Sequence, residues 1–404
     1  MRSYVRLLRQ PGLGLLFGAA LLARMPYGVN GIAVLLFLRE ETGSFAVPGA
    51  ASAGLAIGLG VGAPLMSRIV DRRGAGVIAP LAAANAGSLI GLVLAGSAGA
   101  PPVVLIALAT LGGLMFPPTP SVLRARLPGL VGGQPDLVRL GFALDSVLLE
   151  AAFVIGPLGV GVIAAVAGAA EALILSAATI LIGSLAFLAA LPAAGPPSEH
   201  ARAGGMWGAL ASPGLRALIA TMIPLGIGFG AIELALTAFG REESGAAAAG
   251  ALLAAWAVGS TVGGLLYGPW SARNLSVSEV FVRISFVLPA GFALLALGWS
   301  VVSMAILAVP AGVAMAPLLA SRNELAGALA PRGRATEALT WPLTALMAGI
   351  ALGAAAAGVL VDAAGWQAAV AAGVGAALVG AVLTLAWRSV LEPAAESAGE
   401  PARV

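Results

Sequence analysis

Apolar runs of about 20 residues recur from one end of this 404-residue chain to the other, and nothing else constrains its fold as tightly. A helix rises about 1.5 Å per residue, so each run matches the roughly 30 Å hydrocarbon layer of a bilayer. Twelve such runs are read at 13–38, 47–69, 77–97, 102–123, 142–166, 172–192, 217–239, 245–268, 279–298, 301–320, 337–361 and 367–387. Trp299 and Ser300 alone separate runs 9 and 10. Charged residues make up only 10% of the chain, against about 25% in a soluble domain. A polar coat for a water-soluble body of this size is therefore missing, and the chain is expected to be an all-α polytopic membrane protein.

The 21 basic residues are all arginine, and their positions set an orientation. With the N-terminus in the cytoplasm, eighteen of the 21 fall in or beside cytoplasmic segments, Arg124, Arg139 and Arg322 among them. Arg39 and Arg241 fall outside, each beside two acidic residues, and Arg24 falls within the membrane. This positive-inside bias places both termini in the cytoplasm and makes the number of crossings even. The basic N-terminus precedes an apolar run too long for a cleaved signal, so that run is read as a retained first helix. Location in the cell membrane follows.

Residue types that are absent remove whole classes of chemistry. With no cysteine, thiol catalysis, disulfides and zinc–thiolate sites are excluded. With no lysine there is no phosphate-binding loop for ATP and no Schiff base. The one histidine, His200, lies in a polar stretch and is given no role, and no metal site or cofactor is expected. An enzyme would need a nucleophile–base pair or metal ligands at membrane depth, and none is read. A net charge of +3 spread along the chain does not point to nucleic acid. The sequon Asn274-Leu275-Ser276 falls on the cytoplasmic side, where no glycan is added.

The chain also reads as a duplication. Arg39-Glu40-Glu41-Thr42-Gly43 recurs as Arg241-Glu242-Glu243-Ser244-Gly245, 202 positions on, and at the same offset Gly62 meets Gly264. A polar stretch at 193–213 divides the two copies and reads as a flexible cytoplasmic linker. The expected organisation is a six-helix bundle over 1–192, the linker 193–213, a second six-helix bundle over 214–388 and a flexible tail over 389–404. Two pseudo-symmetric halves around a midplane site are the usual build of a secondary transporter.

Two motifs then carry a family resemblance. The loop after the second run, Ser67-Arg68-Ile69-Val70-Asp71-Arg72-Arg73-Gly74, resembles the Gly-x-x-x-Asp-Arg-x-Gly loop of the major facilitator superfamily, with Ser67 where a glycine is usual. An acid flanked by arginines at a tight turn can latch onto a helix end in one conformation and release it in another, so Asp71, Arg72, Arg73 and Gly74 are gating candidates. The fifth run holds Gly156-Pro157-Leu158-Gly159-Val160-Gly161, similar to the antiporter motif Gly-Pro-x-x-Gly-Gly of the drug-efflux-like branch, with Val160 in place of a glycine. Gly156 and Pro157 join the gating candidates, because a proline bends a helix and glycines admit a neighbour. The stretches from Ala143 to Glu150 and from Ala335 to Trp341 are similar to actinobacterial-type exporters of the same superfamily.

Ionisable residues within the membrane mark function by default. Arg24 lies midway along the first run and needs a carboxylate, carbonyls, water or an anionic substrate, since guanidinium does not deprotonate. Tyr27 follows one turn later and Asn30 three residues beyond that. The resemblance implies that the first and seventh helices line a central cavity, which makes Arg24, Tyr27, Asn30 and Glu233 substrate-binding candidates. Glu150 is the leading proton carrier, one turn or more into the membrane and on nearly the same face as Pro157. Asp145 lies five residues before it, around the helix, and is expected to bond nearby arginines. Glu233 and Glu337 complete the proton-coupling candidates, although Arg334 stands one turn before Glu337 and offers a helix-start salt bridge. The expected activity is proton-coupled efflux of a small amphipathic or lipophilic molecule by alternating access, with the proton gradient in place of a cofactor. The alternative is a proton symporter or uniporter for a nutrient or organic anion. The partners are a small-molecule substrate and the lipid bilayer, and the chain is expected to act as a monomer.

Overall fold

A computed structural model of the chain describes residues 6–28, 30–42, 46–192, 208–271 and 276–393. His200, Arg202, Asn274 and most of the expected linker and tail lie outside the described residues, as do the side chains of Glu150 and Pro157.

The described chain is nearly all helix. Its first half runs α1 (Leu13–Arg24), α2 (Asn30–Thr42), α3 (Ala46–Arg73), α4 (Ile78–Ser97), α5 (Pro102–Leu114), α6 (Thr119–Leu130), α7 (Pro135–Val166) and α8 (Ala169–Ala190). The second half runs α9 (Pro213–Ser244), α10 (Ala246–Ser271), α11 (Val277–Leu294), α12 (Val301–Gly312), α13 (Met315–Ala328), α14 (Ala335–Ala364), α15 (Trp366–Ala386) and the short α16 (Arg388–Leu391). Ten stretches among the described residues are single helices or near-continuous pairs long and apolar enough to cross a bilayer, and α1 with α2 adds a bent crossing. The 32-residue α7 fills the fifth place in each reading of the order. The outer surface carries large apolar side chains such as Val166, Val103, Val302 and Leu15, which lipid solvates and water would not.

Three crossings are broken. Met25–Gly28 forms a 3₁₀ turn after α1, where Pro26 supplies no N–H to a continuing helix. Pro117 and Pro118 interrupt the fourth crossing between α5 and α6, and Val313–Ala314 interrupts the tenth between α12 and α13. By contrast α7 continues through Gly156 to Val166 as one helix. Three helix starts carry side-chain caps. Ser212 accepts the Leu215 N–H ahead of Pro213, and Ser276 with Glu279 forms a reciprocal capping box. Ser300 caps α12, so the two-residue break at Trp299 and Ser300 does separate two crossings.

The duplication is visible in packing. Gly58 and Gly62 of α3 lie so close to α5 that an added Cβ would overlap the carbonyl oxygens of Thr110 and Leu114, and Gly113 answers from α5 against Leu55. In the second half Gly259 and Gly263 of α10 meet the carbonyls of Val309 and Val313, and Gly312 of α12 answers against Trp256. Gly263, not Gly264, is thus the structural counterpart of Gly62, one position from the offset read in the sequence. Gly264 faces Val147 of α7 and Ala316 of α13 instead, at the seam between the halves.

Candidate functional site

The two halves meet at the arginine-rich end along α3, α6 and α7 on one side and α10, α13 and α14 on the other. Asp71, near the end of α3, reaches across to the start of α14. Its Oδ1 accepts the Thr336 N–H at 3.2 Å and its Oδ2 the Glu337 N–H at 2.8 Å. These are orphan donors in the first turn of α14, so a carboxylate of one half caps a helix of the other, where the helix dipole favours negative charge. Arg73 beside it is exposed, and Gly74 turns the chain with φ 90°. Ser67, the position where the family's loop has glycine, is buried, and its hydroxyl lies 2.7 Å from that of Thr340. Thr340 donates to Ser121 of α6 at 2.8 Å, and Arg139 donates to Glu324 at 3.0 Å.

Beneath this seam lies a charge cluster. Arg24 at the end of α1 donates from Nε to Ala20 O at 3.1 Å, from Nη1 to Asp145 O at 3.1 Å and from Nη2 to Asp145 Oδ1 at 2.6 Å. Arg124 of α6 takes the other carboxylate oxygen, with Nε 2.6 Å from Oδ2. All three side chains are at most 1% exposed. The break after Pro118 explains how α6 brings Arg124 inward: a new helix starts at Thr119 and continues to Leu130, beyond the end at residue 123 drawn from hydropathy. The same holds for Arg322 of α13, 1% exposed, because that helix continues to Ala328 rather than stopping at 320. Both arginines were read from the sequence as lying in cytoplasmic segments past the ends of runs 4 and 10, whereas here each is buried within a helix. The correction has a simple cause: hydropathy cannot tell a charge lodged inside the protein from one in a loop. The signal available was the proline pair before Arg124 and the matching spacing of the two arginines, 198 positions apart.

The other expected site residues do not gather into one further cluster among the described residues. Tyr27 is half-buried and packs edge-on against Phe116, ring centroids 4.4 Å apart. Asn30 accepts a hydrogen bond from Ser176 of α8 and ties the first crossing to the sixth. Glu233 is exposed on α9 and makes no ion pair among the described residues, while the nearby Gly226 and Gly230 pack against α14. The stripe that runs up to Glu233 is thus a helix contact. Glu337 is buried, 3.5 Å from Arg334, with the Trp341 indole N–H directed at its Oε1 at 3.5 Å. Glu150 belongs to α7, and Gly156 is buried on the same helix.

No family model matches this chain, and no curated protein matches it. Solved structures do. A bacterial homologue of the iron transporter ferroportin, in an outward-facing state with soaked iron, superposes with a TM-score of 0.73 at 16% identity, covering 93% of this chain and 99% of its own. The fucose:proton symporter FucP of E. coli gives 0.70 at 14% identity over 93% and 98%. The human organic anion transporter MFSD10 gives 0.67 at 17% identity over 93% and 99%. With two matching halves of membrane-length helices and these neighbours over nearly its full length, the chain has the fold of the major facilitator superfamily.

Proposed function

We propose that this chain is a secondary active transporter of the drug-efflux-like branch, working by alternating access in the cell membrane with both termini in the cytoplasm. Residues 1–192 and 214–388 act as the two rocking bodies, 193–213 as their linker and 389–404 as a tail, in a monomer. With the arginine-rich end inside, the closed seam makes the described state outward-facing. The observation that carries the proposal is the cap that Asp71 places on α14. A latch made of a few hydrogen bonds, each worth about 0.5–1.5 kcal/mol, is strong enough to hold one state and weak enough to yield to a ligand. Opening the seam to the cytoplasm has to release Asp71 from α14, Thr340 from Ser67 and Ser121, and Arg139 from Glu324.

The cargo in this proposal is a small amphipathic molecule, exported as protons flow inward. Asp145 is a poor carrier while both of its oxygens are held by arginines, so it serves as the lock on Arg24 and Arg124. Proton exchange falls to Glu233, which has no described ion pair, and to Glu150. A second reading, uptake of an organic anion, is favoured by the excess of arginine over aspartate in the buried cluster.

Purified protein in sealed liposomes with an imposed pH gradient and an internal pH dye distinguishes the two. Proton entry driven by substrate leaving in the opposite direction supports export, and substrate and protons entering together supports uptake. Loss of coupled proton movement in Glu233→Gln or Glu150→Gln identifies the carrier, and unchanged coupling in both removes these carboxylates from the mechanism.

A further inference from the structure

The two halves treat the same buried cation differently. Arg124 on α6 and Arg322 on α13 each sit on the second segment of a broken crossing, each 1% exposed. The following crossings align at an offset of 195, with Arg139, Ala143, Leu144 and Leu148 meeting Arg334, Ala338, Leu339 and Leu343. At that offset Asp145, the counter-ion of Arg124, meets Thr340. The second half therefore has no carboxylate where the first half has one. Thr340 is engaged elsewhere, with Ser67, Ser121 and the Thr336 carbonyl.

Arg322 is left with an amide. Its Nε and Nη2 donate to Asn323 Oδ1 at 3.2 and 2.6 Å, and its Nη1 is buried without a hydrogen-bond partner. Arg124 Nη1 and Asn323 Nδ2 are buried and unpartnered as well. The helices that carry them, α6 and α13, touch across the seam, and Arg322 lies within electrostatic reach of Arg124 and Asp145. Among the described side chains the neighbouring carboxylates are taken: Glu324 by Arg139 and Glu337 by Arg334. Three guanidinium groups thus share one aspartate. Arginine stays charged in any surroundings, and a buried charge without a counter-ion is strongly disfavoured. Orphaned buried donors from two helices of a cationic interior are the makings of an anion site.

We propose that Arg322 and Arg124, with the Asn323 amide, bind a small monovalent anion between the two halves when the seam is closed. The ligand presents one compact negative charge, as a halide, nitrate or the carboxylate of a small acid does. Because its two arginines belong to different halves, rocking the halves apart dismantles the site. The anion therefore binds the closed-seam state in preference, and its concentration shifts the balance between states. This does not rest on the direction of transport or the identity of the cargo.

The test is thermal unfolding of the full-length purified protein in detergent, with sodium gluconate replaced stepwise by chloride, nitrate or acetate at constant ionic strength. The expected result is a saturable rise in melting temperature of about 3 °C or more. A rise with chloride or nitrate assigns the site to an inorganic ion, and a rise with acetate alone assigns it to a carboxylate such as a cargo would present. Arg322→Gln is expected to abolish the rise. Asn323→Asp, which keeps the side-chain shape and supplies the missing counter-ion, is expected to fold, to melt higher than wild type in gluconate and to respond to no anion. A wild-type protein indifferent to all three anions overturns the proposal, as does an undiminished response in folded Arg322→Gln or in Asn323→Asp.

Discussion

The first half of this molecule gives buried Arg124 an aspartate of its own, and the second half gives buried Arg322 no carboxylate among the described residues. At the matching position the second half has Thr340, which binds Ser67 and Ser121 across the seam as well as the Thr336 carbonyl of its own helix. The glycine contacts that hold α3 to α5 and α10 to α12 follow the same pattern in the two halves. Duplication has thus preserved backbone packing while charge has diverged. Helix packing is fixed locally by close approach, where one added methyl overlaps a carbonyl. Charge placement is free to change wherever another group, or a ligand, can answer it. The same asymmetry appears in the loops. Asp71, near the end of α3, latches onto α14, whereas the corresponding stretch from Gly268 to Ser276, at and just beyond the end of α10, contains no carboxylate.

Five substitutions sharpen or break this comparison, in falling order of expected effect. Asp145→Ala leaves Arg24 and Arg124 buried without a counter-ion and is expected to destabilise by about 3–5 kcal/mol, or to prevent folding. Recovery of monodisperse protein on size exclusion, together with thermal unfolding, measures this. A melting temperature equal to wild type would show that Asp145 is not the anchor of the cluster. Next, Gly58→Ala and Gly259→Ala are each expected to cost about 1–3 kcal/mol by forcing helices apart. Their unfolding temperatures should fall together, and a drop confined to one of them would break the claimed equivalence of the halves.

Asp71→Asn removes the charge that caps α14 and is expected to shift the balance by about 1 kcal/mol towards an open seam. The chain has no cysteine, so Ser67→Cys supplies a single thiol at the seam, and its labelling rate reports opening. Labelling should be several-fold faster in the Asp71→Asn background, and an unchanged rate would remove the latch. The smallest effect belongs to Thr340→Val, which keeps shape and loses the bonds to Ser67 and Ser121, at about 1 kcal/mol. Measured beside Asp145→Ala, it tests directly whether equivalent positions carry unequal weight. If Thr340→Val proved as damaging as Asp145→Ala, the second half would hide a dependence on that hydroxyl that the contacts do not reveal.

Much of the fold was legible in the sequence because a bilayer fixes the length of every crossing. The capped break at Ser300, the deviation at Ser67 and the acid at Asp71 could all be picked out as residues before any contact was known. Arg24 was singled out as the costliest residue in the membrane, and Asp145 was expected to bond nearby arginines. The cluster itself was missed. Arg124 and Arg322 stand just past the end of a strongly apolar run, where loop and interior look alike. Helix breaks at Pro117-Pro118 and at Val313 carry the chain on for another turn or more and turn those arginines inward.

The sequence by itself pointed to a chain solvated by lipid that crosses the bilayer many times and repeats itself, because hydropathy, length and repetition are properties of consecutive residues. Only the tertiary structure decided which charges meet. Arg24, Arg124 and Asp145 come from three crossings, and Asp71 finds its partner 265 positions away. In a medium with few polar groups to answer a charge, the partner is chosen by where the helices pack, and no run of neighbouring residues records that choice.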